Sequence, residues 1–187
     1  SAVVREIVRQ GTPMSSIALF GESAGAGLAA AVTLMLRDEG MGLPAALYLM
    51  SPWLDLTLSG DTMTTLETAD PRLTAAALRR FAALYAAPGD LRHAYVSPLY
   101  GDLAKVFPPT LIQAGTREIL LSDAVRLSEA VTSAGGRARL ELAEGMPHVF
   151  HEQWTLPESQ QALKRAAVFL RSELGVAGNE HVTFMHG

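Results

Sequence analysis

The run Gly21-Glu22-Ser23-Ala24-Gly25 sets a hydroxyl among small residues, and a hydroxyl so placed can act as a nucleophile. Four apolar residues, Ile17 to Phe20, lead into it, and an Ala- and Leu-rich stretch from about Ala24 to Arg37 follows, so the order reads strand, sharp turn, helix. A nucleophile elbow requires that order. The serine is held in a strained backbone conformation with its Oγ above the sheet, and small neighbours let strand and helix approach closely. The same turn puts the Ala24 N–H at a helix N-terminus, where it can stabilise negative charge on a substrate oxygen. Gly-x-Ser-x-Gly alone is equally at home in a turn that only packs or binds an anion, so the partners of Ser23 must decide.

A serine hydroxyl needs a base to take its proton, and the base needs a third group to fix its tautomer and stabilise it once charged. Of the five histidines, His148 follows a strand-like run, Arg137 to Ala143, in a loop containing glycine and proline, which makes it the candidate base. His151 is the weaker alternative; His93, His181 and His186 suit surface or capping roles. Two carboxylates follow the strand-like segment Thr110 to Ala114. Glu118 is nearer the strand end and is the favoured acid. Asp123 is the alternative, because a negative charge in the first turn of a helix has a purely structural rationale. Asp55 reads as a loop-capping carboxylate.

These residues need a scaffold that brings them to one edge. Ala2 to Gln10 reads as the end of a helix with Val3, Val4, Ile7 and Val8 on one face. Ile17 to Phe20 and Ala45 to Met50 read as strands, the first apolar on both faces as in a sheet covered on both sides. Ser59 to Pro71 reads as loop and Leu73 to Tyr85 as an amphipathic helix capped by Thr74. Pro88 to Pro109 is an irregular excursion with four prolines. Thr110 to Ala114 is a strand, Asp123 to Ser133 a helix, Arg137 to Ala143 a strand with Ala138, Leu140 and Leu142 on one face, and Pro157 to Leu174 the last helix. Strands alternating with helices predict an α/β fold: right-handed βαβ units and a parallel sheet with helices on both faces. Chemistry then gathers at the carboxyl ends of the strands, where Ser23, Asp55, Thr116 to Glu118 and Met146 to His148 all fall.

The chain of 187 residues suits one catalytic domain over 1–175 with a C-terminal tail, 176–187; 49% of residues are apolar and 18% charged, which excludes a disordered chain. A net charge of −4 with scattered basic residues gives no footprint for nucleic acid or an anionic membrane surface. No apolar run is long enough to span a bilayer, and Arg5, Glu6 and Arg9 break up the first residues. A soluble, cytoplasmic protein is the default expectation. With no cysteine, thiolate zinc sites, disulfides and cysteine nucleophiles are excluded. No cofactor or metal is implied.

Together these motifs resemble the hormone-sensitive-lipase-like esterases, which have the α/β-hydrolase fold. Gly21 to Gly25 is similar to that family's Gly-Asp-Ser-Ala-Gly-Gly signature, with Glu22 and Ala26 as departures. Ser51-Pro52-Trp53-Leu54-Asp55, Ser97-Pro98-Leu99 and Pro108-Pro109-Thr110 resemble its intervening landmarks. Thr116 to Asp123 is similar to the segment bearing its catalytic acid, usually aspartate, which falls here on Glu118. Gly145-Met146-Pro147-His148-Val149-Phe150 resembles its histidine loop. The resemblance covers Ala2 to Gly175 and implies a serine carboxylesterase acting on small, fairly apolar esters through an acyl-enzyme.

Family members also carry, upstream of the elbow, further strands, a cap and a His-Gly-Gly-Gly oxyanion loop, and this sequence contains no such motif. The expectation is a C-terminal portion of such an esterase with weak or absent activity. Its first strand would then be a bare edge that favours a homo-oligomer. The rivals are a non-catalytic module retaining the fold, or a serine acyltransferase or peptidase.

Overall fold

In a computed structural model, residues 2–176 are described; His181, His186 and most of the expected tail lie outside them. The elements run α1 (Ala2–Arg9), β1 (Ala18–Glu22), α2 (Ala24–Asp38), β2 (Ala46–Met50), α3 (Thr62–Thr65), α4 (Ala75–Tyr85), β3 (Thr110–Gly115), α5 (Leu121–Ser133), β4 (Ala138–Ala143) and α6 (Pro157–Glu173). The strands form one parallel sheet in the order β1-β2-β3-β4.

Every residue of β2 and β3 is buried, as a central parallel strand sandwiched between helices demands. Alternation assigns their faces. Leu47, Leu49, Ile112 and Ala114 pack with Ala26, Ala30 and Leu34 of α2 and with Ala124, Leu127 and Val131 of α5. Tyr48, Met50 and Leu111 meet Ala166 of α6 on the other face. A third cluster joins Trp53, Leu56, Ile119 and Leu120, from the loops leaving β2 and β3, to Met63 of α3 and to Leu78 and Ala82 of α4. That cluster roofs the carboxyl end of the sheet.

Two expectations change at the margins. The first strand is only partly covered: Phe20 is 69% exposed. It pairs with Tyr48 and so lies on the α6 face, but α6 packs chiefly against β2 and β3 and bonds β4 through Arg165 and Glu141. On β4, the opposite edge among the described residues, Ala138, Leu140 and Leu142 share one face as expected; Ala138 and Leu140 join the α2–α5 cluster, whereas Leu142 is exposed. On α1, Val4 and Val8 pack inward with Met14 and Leu36, while Val3 faces out.

Between β2 and β3 the expected loop over 59–71 contains α3. The next helix begins after Thr74, whose Oγ1 accepts from the Ala77 N–H at 3.2 Å. The helix α5 starts at Leu121, two residues ahead of Asp123. Among the described residues no helix is long and apolar enough to cross a membrane.

Candidate active site

Ser23 stands between β1 and α2 with φ 51° and ψ −121°, a conformation that costs a non-glycine residue about 1–3 kcal/mol unless its surroundings impose it. Here they do. The Ser23 N–H donates to the Met50 carbonyl at 2.9 Å, and the Ser23 carbonyl accepts from the N–H groups of Ala26, Gly27 and Trp53 at 3.1–3.2 Å. A Cβ at position 21 would run into the Gly25 carbonyl, so the close approach of strand to helix requires glycine there. Ala24 is the first residue of α2, and first-turn N–H groups have no intrahelical acceptor. Its amide is therefore available to an oxyanion.

The His148 Nε2 lies 2.9 Å from the Ser23 Oγ. On the other side of the ring, Nδ1 is 3.5 Å from Oε2 of the fully buried Glu118, beyond a normal hydrogen bond. With Nδ1–H turned to Glu118, Nε2 is left to accept the serine proton. Ser51 bridges the two loops: its Oγ donates to Glu118 Oε2 at 2.7 Å and accepts from the Val149 N–H at 2.9 Å. Ser51 (φ 46°) and Val149 (φ 48°) are both left-handed non-glycine residues, so strain concentrates around this bridge. Thr116 Oγ1 accepts from the Gly145 N–H at 2.8 Å, and the Arg117 N–H donates to the Met146 carbonyl at 3.0 Å. These bonds seat the histidine loop on the end of β3.

Asp123 is placed elsewhere. Its Oδ2 accepts from the N–H groups of Leu54 and Asp55 at 2.8 and 2.9 Å, bolting the loop after β2 to α5. Burial pushes its pKa up to about 7, against the two amide donors that favour the ionised form. Asp55 is a buried hub rather than a simple loop cap. It takes hydrogen bonds from Ser59, Thr57, Tyr100 and Arg126. Burial alone would raise its pKa, but the bonds from Ser59, Thr57 and Arg126 outweigh burial and hold the carboxyl below its ordinary value. His151 points its Nε2 at Gln113 Oε1, 3.1 Å away; burial, with His148 nearby, lowers its pKa to about 4 and keeps it neutral. His93 contacts the Tyr95 N–H at 3.2 Å in the proline-rich excursion.

Beside Ser23 opens an apolar cavity of about 400 Å³, walled by Leu28, Trp53, Leu56, Leu78, Phe81 and Val96, among others. Among the described residues no group of three or more His, Asp or Glu side chains could hold a metal ion.

The parallel sheet with helices on both faces, entered through a strained strand-to-helix turn at Ser23, is a fold that known proteins share. A family model described as the alpha/beta hydrolase fold matches residues 1–152. The chain belongs to the α/β-hydrolase family. Within it, an acetyl-hydrolase of Streptomyces hygroscopicus is 43% identical over 177 residues, 93% of this α/β-hydrolase chain and 58% of that protein. The solved structure of an esterase from the bacterial hormone-sensitive lipase family is 39% identical with a TM-score of 0.89, over 93% of this chain and 59% of that one. EstE5, from a crystal soaked with p-nitrophenyl butyrate, is 35% identical with a TM-score of 0.88, over 94% and 59%. The hormone-sensitive-lipase-like resemblance of the motifs thus extends to the fold, and the chain spans somewhat under three-fifths of the length of these relatives.

Sequence reasoning on this α/β-hydrolase named Ser51 only as part of a landmark and passed over Asp70 and Arg72. A signal existed for Ser51. It immediately follows β2, and the strand-end rule that selected Asp55 applies to it equally.

Proposed function

We propose that this chain carries the acyl-transfer centre of a serine carboxylesterase acting on small, fairly apolar esters. The observation that carries the reading is the 2.9 Å approach of His148 Nε2 to the Oγ of a strained Ser23 at the mouth of an apolar cavity. Ser23 Oγ attacks the ester carbonyl while His148 Nε2 takes its proton, and the tetrahedral oxyanion forms beside the Ala24 N–H. Collapse breaks the ester C–O bond, and His148 returns the proton to the departing alkoxide. A water molecule then attacks the acyl-enzyme by the same route, regenerating Ser23 and releasing the acid. Glu118, behind His148, holds the ring's tautomer and stabilises the imidazolium. The acetyl-hydrolase and esterase names of the relatives support this reaction class.

Ala24 provides one oxyanion donor, and removing a single donor from such a site costs about a hundred- to thousandfold in rate. Incubation with a short-chain p-nitrophenyl ester and with an organophosphorus probe, read by intact mass spectrometry, tests the proposal. Labelling confined to Ser23 and lost in Ser23→Ala supports it. A folded chain that binds an ester yet neither labels nor turns over is instead a non-catalytic module.

A further inference from the structure

Glu118 and His148 come from different loops, and no hydrogen bond joins them. Something else must hold the loops in register. One brace is Ser51, described above. A second, independent of it, comes from the segment that joins α3 to α4. Asp70 is buried there, and its Oδ2 accepts from the N–H of Ile119, the residue after Glu118, at 2.9 Å. Its Oδ1 accepts from the N–H groups of Arg72 and Leu73 at 2.8 and 3.0 Å. From that fixed backbone the Arg72 guanidinium reaches across the site. Its Nη1 donates to the carbonyls of His148 at 2.8 Å and Val149 at 3.2 Å, and its Nη2 pairs with Glu152. Two successive carbonyls converge on one nitrogen because Val149 is left-handed.

We propose that Arg72, anchored by Asp70, is a positioning residue that straps the histidine loop to the acid loop and sets the attitude of the His148 ring toward Glu118. The proposal rests on the triad reading above. A guanidinium is well suited to such a strap, because its rigid fork serves two carbonyls and a carboxylate at once, whereas a lysine ammonium is a single mobile point. The Asp70–Arg72 brace also continues into Leu73, which lines the apolar cavity, so one short segment ties acid, base and cavity wall.

The experiment compares the full chain with Arg72→Ala, Arg72→Gln and Arg72→Lys by two readouts. The ¹⁵N chemical shifts of the His148 ring report its tautomer and hydrogen-bond partners whether or not the protein turns over. The rate of organophosphorus labelling reports the reactivity of Ser23. We expect the ring shifts to move toward averaged tautomers in Arg72→Ala and Arg72→Gln and to be partly restored in Arg72→Lys. Labelling should slow by about ten- to a hundredfold, the scale of a small misplacement of a catalytic group. Ring shifts that stay at parental values in folded Arg72→Ala or Arg72→Gln overturn the strap, whatever the labelling rate. A parent that never labels, but whose ring shifts respond to Arg72, sinks the esterase reading and leaves the strap standing.

Discussion

Asp123→Ala separates a structural carboxylate from a chemical one. In the native chain, Asp123 Oδ2 is the acceptor for two buried N–H groups, those of Leu54 and Asp55. Alanine leaves both donors unsatisfied, at about 1–3 kcal/mol each, or roughly 2–6 kcal/mol together. Relief from burying a carboxylate offsets part of that cost, so the expected loss is about 2–4 kcal/mol. For a chain of this size each kcal/mol lowers Tm by about 2–4 °C, which puts the shift at about 4–16 °C. The assay is thermal and urea unfolding, with organophosphorus labelling of the folded fraction at a temperature well below both midpoints. The folded variant should label Ser23 at close to the parental rate, because Asp123 supports the loop after β2 and not His148. Two results would refute the reasoning: a loss below about 1 kcal/mol, or a folded Asp123→Ala that no longer labels while Glu118→Ala does. The second outcome would exchange the roles given to the two carboxylates.

Other expectations follow from the same geometry. Burial raises Asp123 to about 7 from an ordinary 3.8, so the folded state holds this proton more tightly than the unfolded chain; its stabilising contribution is complete below about pH 4 and lost as pH rises through 7. Asp123→Asn removes that dependence, and its Tm relative to the parent should rise between pH 5 and pH 8; a constant difference would count against the shift. Gly115→Ala puts a Cβ into the Met146 carbonyl beneath the histidine loop and should slow labelling of Ser23 more than it lowers Tm, with overpacking of this kind costing about 1–3 kcal/mol. Among the described residues the outer edge of β1 ends the sheet and carries exposed Phe20, so a second copy can pair there about a two-fold axis; light scattering should show a dimer that Phe20→Lys weakens, and a parental monomer at all concentrations sinks that expectation.

The parts of this molecule written locally were legible in its sequence. β2 and β3 were legible as strands because each is a short run rich in apolar residues, although the sequence pattern assigned two-sided cover to β1 and the structure gives it in full to β2 and β3. Thr74 reads as a cap because capping is satisfied within one turn. Phe20 was misplaced for the opposite reason, since whether a helix lies beside it is decided far away in the chain. Ser23 and His148 could be picked out because each sits in a short motif at a strand end, and the structure sets their side chains 2.9 Å apart. The choice between Glu118 and Asp123 stayed open because it turns on which way two neighbouring carboxylates face, a matter of tertiary contacts. Asp70 and Arg72 were passed over because their partners across the site lie 49 to 80 residues away along the chain, and the local bonds from Asp70 to the Arg72 and Leu73 N–H groups mark only a turn.

The order of the sheet is also the order of synthesis. Each strand lies beside the one made before it, so the sheet can grow in one direction as the chain leaves the ribosome. Ser23 and its proposed base are 125 residues apart, an interval of roughly 6–25 seconds at a translation rate of about 5–20 residues per second. During that time the elbow can form, but its hydroxyl has no proton acceptor. The histidine arrives with the last loop before α6, after all four described strands, so on the proposed chemistry the elbow gains its base only once the sheet is complete.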